Sequence, residues 1–363
     1  MIREFQELYA LIEPVDLSLR AQAYAHLDNL AKPQGSLGRL ETLAARLFCI
    51  GGGVVPLRVD PAIVFTVAGD HGVAAEGVSL YPQAVTRQMV RNFLDGGAAI
   101  NVLCQVASAE LFVVDAGCAG GPFEEHRQLI NIRIGDGTAN IATGPAMRRE
   151  DCVRAVLAGV GIALKAADMG YRCIGIGEMG IANSTVAAAL CCAYFGLPPE
   201  DMAGPGAGTP LAGLEHKIQV VQRALESNKD AVALRDPLAI LAALGGFEIA
   251  VMAGVMLGAA RRRLPVVVDG FIATSALAAA ESLCPVVAGY CFLSHVSAEP
   301  GHAKMVQRLQ TRAPLLDLGM RLGEGTGSAL AIVLLRAAAA IYNDMAILNA
   351  TGTGEAGTGG KAS

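Results

Sequence analysis

The stretch AIVFTVAGDHG, residues 62–72, decides the fold. A run of apolar and β-branched residues ends abruptly in glycine, an acid and a histidine. Uncharged runs of this length, bounded by turn residues, are typical of a strand buried on both faces of a parallel sheet. The segment therefore predicts a buried parallel strand with polar side chains just beyond its carboxyl end.

Four further segments repeat this pattern along the chain: LFVVDAG (111–117), RCIGIGEMG (172–180), LPVVVDGF (264–271) and VVAGYCFLSH (286–295). Alanine-rich stretches such as STVAAALCCAYFG lie between them, and their composition suits helices. This alternation predicts an α/β fold with a doubly wound, mainly parallel sheet and helices on both faces.

Polar residues collect where the predicted strands end. They are Asp70, His71, Asp115, Glu178, Asp269, Ser294 and His295. Because the carboxyl ends of parallel strands share one edge of the sheet, and open sheets bind ligands at that edge, we expect the functional site there.

The two ends of the chain have a different composition. LGRLETLAARLF near the start and SALAIVLLRAAAAIYNDMAILNA near the end have helical spacing. We predict a small helical domain built from residues 1–60 and 330–350, beside an α/β catalytic domain at 61–329. The glycine-rich residues 351–363 are predicted to be a flexible tail.

Composition limits the class of ligand. The net charge of -5, the pI near 5.7 and the lack of tryptophan argue against nucleic acid and favour small molecules. The longest uncharged stretch, residues 179–199, contains polar residues and two prolines, so we predict no membrane span. The start MIREFQELYA lacks the features of a signal peptide, and the nine cysteines contain no CxxC pair. Together these features predict buried free thiols and a cytoplasmic protein.

The string GIGEMG has the GxGxxG spacing of a dinucleotide-binding turn through Gly175, Gly177 and Gly180. Glu178 lies inside it and would face a pyrophosphate at ~4 Å, at a cost of about 1 kcal/mol in water and about 4 kcal/mol at an effective dielectric of 20. A tight strand-to-helix turn explains the glycines equally well. A ligand with one phosphate and a cationic ring fits the string better than NAD or FAD.

A second glycine-rich loop, AGPGAGTPLAG (203–213), precedes Lys217. Backbone amides near Gly206 and Gly208, with the Lys217 ammonium, are candidates for binding a phosphate. The Walker pattern is absent, and composition alone favours an ordinary loop followed by a solvated lysine.

The string LGEGTGSALA places Glu324 between glycines just before a predicted helix. Glycines let the backbone approach a ligand while the carboxylate projects into the site, so Glu324 is our candidate general base. The simpler explanation is a first-turn acid that the helix dipole stabilises by ~0.3–1 kcal/mol. The histidines at 71, 295 and 302 lack a third ligand at suitable spacing, so we predict no metal site.

Several strings occur together in one order: KPQGSLGRLE (32–41), AGDHGV (68–73), GIGEMGIANST (175–185), VVVDGF (266–271), SHVSAE (294–299) and RLGEGTGSALA (321–331). In this order, and over nearly the whole chain, they resemble the nicotinate-nucleotide:dimethylbenzimidazole phosphoribosyltransferase family.

The resemblance implies roles for individual residues. Glu324 would be the catalytic base, and Glu178 would also lie in the active site. The nucleotide and its phosphate would be bound by Gly177, Gly180, Asn183, Gly206, Gly208, Lys217 and Ser294. The base would contact Ser79, Tyr81, Gln88 and Leu322. One departure is Pro210, which stands where many relatives continue a GxGTG pattern.

The resemblance also implies an activity, namely transfer of the 5-phosphoribosyl group of nicotinate mononucleotide to 5,6-dimethylbenzimidazole in cobalamin synthesis. It implies a homodimer that needs no cofactor. Benzimidazoles, adenine and phenolic bases remain open as the physiological acceptor. Three other functions remain open: a nicotinamide-dependent oxidoreductase, a pyrophosphate-releasing phosphoribosyltransferase and a non-catalytic nucleotide sensor.

Overall fold

A six-stranded parallel sheet forms the centre of the fold. Its strands are β1 (Ala62–Gly69), β2 (Glu110–Gly117), β3 (Leu129–Asn131), β4 (Cys173–Met179), β5 (Val266–Val268) and β6 (Cys291–Leu293). Their order in space is β3-β2-β1-β4-β5-β6, and every neighbouring pair is parallel. All eight residues of β1 are buried. The predicted buried parallel strand and the predicted doubly wound α/β fold are confirmed, and the structure places that strand at the centre of the sheet.

The computed structural model describes residue 7 and residues 9–206, 211–310 and 313–348. The predicted tail at 351–363 and the predicted phosphate ligand Gly208 lie outside these residues. Pro210, where the chain departs from the family pattern, lies outside them as well.

The structure differs from the predicted strands at two places. The segment 286–295 forms a strand only at Cys291–Leu293, because Pro285–Tyr290 folds into a 3₁₀ helix that begins with a proline. The edge strand Leu129–Asn131 was not predicted. It has three residues, too few to show a strand period, and none of them is fully buried.

Fourteen α-helices occur in the described residues. They are α1 (Arg20–Asp28), α2 (Arg39–Ile50), α3 (Ala84–Leu94), α4 (Ala99–Val106), α5 (Arg149–Asp168), α6 (Asn183–Phe195), α7 (Pro199–Met202), α8 (Leu211–Ser227), α9 (Lys229–Ala233), α10 (Pro237–Leu244), α11 (Phe247–Arg261), α12 (Phe271–Leu283), α13 (Pro300–Val306) and α14 (Thr326–Asp344). Helices cover both faces of the sheet, with α11 and α14 packed against β1 and β4.

Alternating residues of β1 assign the two faces. Thr66 faces the start of α14, where its hydroxyl donates to the Glu324 carbonyl at 2.6 Å. A Cβ on Gly69 would lie 3.0 Å from the Glu248 carboxylate of α11, on the other face. On the first face, the Ser328 hydroxyl lies 2.9 Å from the carbonyls of Ile176 and Val267. This contact fixes the first turn of α14 against β4 and β5.

Helices α5 and α11 pack closely because glycines face each other's backbone. A Cβ on Gly159 would lie 2.0 Å from the Val251 carbonyl oxygen, and one on Gly254 would lie 2.0 Å from the Val156 carbonyl oxygen. Such distances are far below van der Waals contact. The helix spacing in this layer therefore depends on glycine at both positions.

The two ends of the described chain are joined by backbone and side-chain contacts. The Asn343 amide bonds to both backbone groups of Leu57, at 2.8 and 2.9 Å, and the Ala31 N–H donates to the Ala346 carbonyl at 2.8 Å. Helix α14 packs against α2 and also against β4. The division into a terminal helical domain and a catalytic domain at 61–329 stays a prediction.

Helix α14 is also, among the described helices, the one long and apolar enough to cross a bilayer by length and composition. Some 56% of its most apolar window is buried within the protein. A core helix has the same properties, so this feature carries little weight. All nine cysteines are buried and free, which confirms that part of the prediction.

We predict that Gly159→Ala lowers the free energy of unfolding by about 1–3 kcal/mol, because the new methyl group would overlap the α11 backbone. Gly161 is the matched control, since it lies in the same helix, is exposed and has nothing within 4 Å of the position that a Cβ would occupy. Gly161→Ala should raise stability by about 0.5–1 kcal/mol through helix propensity. Chemical denaturation measures both, and equal effects would contradict the packing argument.

Candidate active site

A cavity of about 480 Å³ opens at the carboxyl ends of β4, β5 and β6. It lies beside the point where the strand order reverses, between β1 and β4, which is where doubly wound sheets bind ligands. Its walls come from segments between Val78 and Glu324 in the chain. The structure thus gathers distant segments around one concave site of a size that suits a small molecule.

Most of the residues predicted for the site line this cavity. They are Ser79, Tyr81, Glu178, Gly180, Asn183, Gly206, Lys217, Leu322 and Glu324. Gln88 does not line it and is exposed on α3. Ser294 is fully buried behind His295, and Gly177 lies under the loop before α14.

Glu178 follows the apolar part of β4 and is 8% exposed. One carboxylate oxygen accepts a hydrogen bond from the Asn183 side-chain amide, and Gly323 approaches the other. Burial raises the pKa of Glu178 to about 8, and the carboxylates of Asp269, Glu248 and Glu324 add to the rise while Asn183 opposes it. The group is therefore protonated at neutral pH.

Glu324 sits in a turn with unusual backbone geometry. Its φ is +64°, and its glycine neighbours at 323 and 325 have φ of +87° and +96°. Non-glycine residues adopt this left-handed region at a cost, and such residues cluster at functional sites. The Glu324 N–H donates to the Glu178 carbonyl at 3.1 Å, and Thr66 donates to the Glu324 carbonyl. These two bonds hold the turn against β1 and β4.

The Glu324 side chain is 5% exposed and points into the cavity. One of its oxygens accepts the Ile100 N–H at 3.3 Å. Burial raises the pKa of this carboxyl above its usual value, while the Ile100 N–H favours the ionised form. Two acids with different proton affinities thus stand side by side, as they do in sites that run acid and base chemistry together.

Asp269, at the end of β5, fixes the loop that carries Glu324. Its two oxygens accept the N–H groups of Gly325 and Gly327 at 2.9 and 2.8 Å, so it caps α14 from a neighbouring strand. Burial raises its pKa to about 7, although these backbone bonds oppose the rise. In the sequence Asp269 is only an isolated acid within VVVDG. The glycines whose N–H groups it accepts lie more than fifty residues away.

Two histidines, His71 and His295, lie just beyond the carboxyl ends of β1 and β6. The His295 ring lies 2.9 Å from the Ser294 hydroxyl, and burial lowers its pKa. His71 is fully buried with its Nε2 2.9 Å from the Glu248 carboxylate. Burial alone would lower the pKa of His71, but Glu248 and Asp70 outweigh it and the pKa is raised. Burial thus favours the neutral ring of His295 at the cavity wall, whereas Glu248 and Asp70 favour the charged form of the buried His71 by raising its pKa.

Lys217 forms the positive end of the cavity. Its side chain is fully buried, and its ammonium donates to the Ser184 hydroxyl and the Gly204 carbonyl, each at 2.8 Å. Burial lowers its pKa to about 8, and Glu299 opposes this shift. The expectation of a solvated lysine is wrong, because Lys217 lies on the inward side of α8 and reaches Ser184 and Gly204.

Helix α6 starts beside this ammonium. Residues 180–184, at its first turn, line the cavity, and a helix start with free N–H groups is a common anion site. Arg321 completes this end, with its guanidinium donating to the Gly206 carbonyl at 2.8 Å. Ser184 and Arg321 both stand in the glycine-containing strings GIGEMGIANST and RLGEGTGSALA, but sequence reasoning did not single them out, because their contacts with Lys217 and Gly206 join segments distant in sequence.

The opposite wall is apolar. Val78, Val85, Met89, Phe271, Ile272 and Leu322 line it together with Tyr81. Tyr81 and Leu322 are about half exposed at the mouth, at 51% and 58%. A flat aromatic ring could be held here next to Glu324. Ser79 turns its hydroxyl back to accept the Tyr81 N–H at 3.3 Å.

The described residues contain no group of three His, Cys, Asp or Glu that could hold a metal ion. His302 is engaged elsewhere, because it accepts the Ser297 N–H at 3.1 Å and contacts the Thr274 hydroxyl. Burial lowers its pKa to about 4.

Comparison with known proteins gives a consistent result. A family model described as phosphoribosyltransferase (DBI_PRT) matches residues 12–353. The nicotinate-nucleotide–dimethylbenzimidazole phosphoribosyltransferase of Nitratidesulfovibrio vulgaris strain DP4 is 60% identical over 356 residues, covering 98% of this chain and 99% of the relative. The enzyme of that name from Chlorobaculum tepidum is 49% identical over 352 residues, covering 97% and 98%.

A solved structure agrees with these relatives. The crystal structure of nicotinate-nucleotide–dimethylbenzimidazole phosphoribosyltransferase from Thermus thermophilus matches with a TM-score of 0.86 and 42% identity. The match covers 94% of this chain and 99% of that one.

The raised pKa of Glu178 predicts a pH dependence of stability. An acid that is protonated when folded and ionised when unfolded binds more protons in the folded state, so stability falls as pH rises from about 5 to about 8. The slope from one such group is at most about 1.4 kcal/mol per pH unit.

Glu178→Gln should therefore flatten this fall, measured as urea unfolding free energy at pH 5, 6, 7 and 8. Glu226→Gln, which removes an exposed carboxylate on α8, should leave the slope unchanged. Parallel curves for the wild type and Glu178→Gln would contradict the assignment.

Proposed function

Because the chain belongs to the phosphoribosyltransferase family that matches it from residue 12 to residue 353, we propose that it transfers the 5-phosphoribosyl group of nicotinate mononucleotide to 5,6-dimethylbenzimidazole or a related base. The products are α-ribazole 5′-phosphate and nicotinate, for the nucleotide loop of cobalamin. The observation that carries this proposal is one cavity with two buried acids at one end and a buried ammonium at the other.

The ammonium end suits the phosphate of the nucleotide. Lys217 and the first turn of α6 present positive charge and N–H groups at one place. A buried lysine whose pKa is lowered to about 8 gains most from an anion, which restores its charged form. Gly180, Asn183 and Gly206 would contribute backbone or amide contacts to the same phosphate.

The apolar wall suits the benzimidazole. A flat bicyclic ring placed between Tyr81, Met89 and Leu322 would bury its faces against apolar atoms. Its N–H edge would then meet the carboxylates. Ser79 also lines the cavity and would contact the methyl-bearing edge of the ring. Gln88 is exposed on α3, so its predicted contact with the base would require its side chain to reach the ring from outside the cavity.

The proposed chemical step is a displacement at the anomeric carbon. The benzimidazole nitrogen that has a free lone pair attacks the anomeric carbon. At the same time the bond between this carbon and the pyridinium nitrogen breaks. The bonding pair leaves with nicotinate, which becomes a neutral pyridine ring. The second benzimidazole nitrogen becomes acidic, and its proton passes to Glu324. Attack opposite the leaving group inverts the carbon, and holding both bases in line supplies much of the catalysis.

Glu324 suits the role of base better than Glu178. The Ile100 N–H stabilises the ionised form of Glu324, whereas Glu178 is protonated at neutral pH. A protonated Glu178 can donate a hydrogen bond next to the reacting atoms without adding a second negative charge. Ser294 would act through His295, which its hydroxyl contacts.

The homodimer and the cytoplasmic location, both implied at the level of sequence, stay predictions. Their tests are sedimentation of the purified chain and fractionation of cells that express it.

A metal-free assay tests the proposed function. Purified protein is incubated with nicotinate mononucleotide and 5,6-dimethylbenzimidazole, and the products are separated by chromatography. We expect equal amounts of nicotinate and α-ribazole 5′-phosphate. Folded protein that binds the nucleotide without releasing nicotinate would favour a sensor. Product formed only from phosphoribosyl pyrophosphate and magnesium, or a change in NADH absorbance, would favour the other two enzyme classes.

We predict that Glu324→Gln lowers kcat by about 100-fold or more, the usual contribution of a positioned general base. The amide keeps the shape of the side chain, so the dissociation constants of both substrates should change little. Rapid mixing and calorimetry measure the two quantities.

The wild-type kcat should also fall on the acid side of a pKa above the ordinary glutamate value, since burial raises the pKa of Glu324. Glu226→Gln serves as the surface control. An unchanged kcat in Glu324→Gln would reject the role of Glu324 as base.

A further inference from the structure

An extended segment on the floor of the cavity, residues 295–299, has no role in the proposed reaction so far. The N–H groups of Val296 and Ala298 donate to the carbonyls of Leu316 and Met320, at 2.8 and 2.9 Å. In extended backbone alternate side chains share one face. Accordingly His295, Ser297 and Glu299 are buried and line the cavity, whereas Ala298 is exposed.

This segment runs from the acid end of the cavity to the ammonium end. A Cβ on Gly327, in the first turn of α14, would lie 2.2 Å from the His295 ring. At the other end, a Cβ on Gly204 would lie 2.2 Å from a Glu299 oxygen, and the Gly204 carbonyl accepts the Lys217 ammonium. A phosphoribosyl group bound between Glu324 and Lys217 would therefore lie beside this segment.

Glu299 is the unusual member of the segment. It is 5% exposed, and no side chain donates a hydrogen bond to either carboxylate oxygen among the described residues. The backbone N–H of Gly206 faces the carboxylate, and the Glu299 side chain makes no capping bond to α13, which it precedes. A buried carboxylate with so few donors costs free energy, so native structures rarely keep one without a function.

The chemistry of the nucleotide identifies what such a carboxylate could bind. An ionised carboxylate only accepts hydrogen bonds. The phosphate and the nicotinate carboxylate of nicotinate mononucleotide are themselves acceptors, and the substituted pyridinium nitrogen carries no hydrogen. Only the two ribose hydroxyls donate.

We propose that Glu299 accepts a hydrogen bond from one ribose hydroxyl of the nucleotide and so selects the riboside over the corresponding deoxyriboside. This inference rests on the proposed function. Lys217 and Arg321 face the same carboxylate, so its charge is balanced when a phosphate is bound beside it. Carboxylates bind ribose hydroxyls in the same manner in other doubly wound folds.

The test compares three substrates in the wild type and in Glu299→Ala: nicotinate mononucleotide and its 2′-deoxy and 3′-deoxy forms. For the natural nucleotide, kcat/KM should fall about ten- to a hundredfold in the variant, the loss expected for hydrogen bonds to a charged group. For the deoxy nucleotide that lacks the hydroxyl bound by Glu299, kcat/KM should differ between the two proteins by less than about threefold. For each substrate, the kcat/KM of the wild type is divided by that of the variant. This ratio cancels the different intrinsic reactivity of the deoxy glycosides.

Glu299→Gln keeps the shape of the side chain, and its kcat/KM for the natural nucleotide should lie between those of the wild type and Glu299→Ala. It replaces Glu299→Ala if the alanine variant does not fold. Glu226→Ala on α8 is the surface control and should behave as the wild type with all three substrates. Equal losses on all three substrates would mean a structural role, and no loss would mean no contact. Either result overturns the ribose assignment while the wild-type activity stands. A wild type that releases no nicotinate would overturn the proposed function as well.

Discussion

The Asp269 carboxylate and the two amides that it binds hold the site together. Its oxygens accept the N–H groups of Gly325 and Gly327, and the residue before these amides is Glu324. A helix start leaves several N–H groups without partners, and here a strand from elsewhere in the chain supplies an acceptor for two of them. The position of Glu324 is therefore set by β5, and the turn keeps its left-handed backbone because the strands beneath it leave it little freedom to relax.

A second constraint follows from the number of acids that share this space. Glu178, Asp269 and Glu324 are all buried within one strand edge, and Glu248 lies close behind. Burial raises the pKa of the first three, and the neighbouring carboxylates add to the rise at Glu178, which disfavours ionisation of all three at once. The fold balances them with a buried His71 on one side and a buried Lys217 on the other. These buried charged groups thus contribute less to the stability of the fold than apolar residues would. Such a loss of stability is common in active sites.

The sequence predicted the parts of this arrangement that depend on local patterns. The strand at 62–69, the turn around Glu178 and the glycine-flanked Glu324 are each visible in a short window, because strand period and turn glycines leave a local signature. Ser184, Arg321 and Glu299 could not be found in this way. Each matters through a neighbour distant in sequence, and a solvated residue of the same type would look identical in the chain. Gln88, for which the family resemblance implies contact with the base, is exposed on α3, and its role stays a prediction.

The docking of α14 has a consequence for how the protein is made. The residue that we propose as base stands immediately before this helix, and the first turn of the helix bonds to carbonyls of β4 and β5, synthesised long before it. During translation this strand edge keeps its acids and apolar faces uncovered until α14 has been synthesised. Pairings so distant in sequence form slowly, and open strand faces associate readily with other chains. A helix that is made so long after its partner strands therefore leaves the nascent chain open to wrong association until that helix docks.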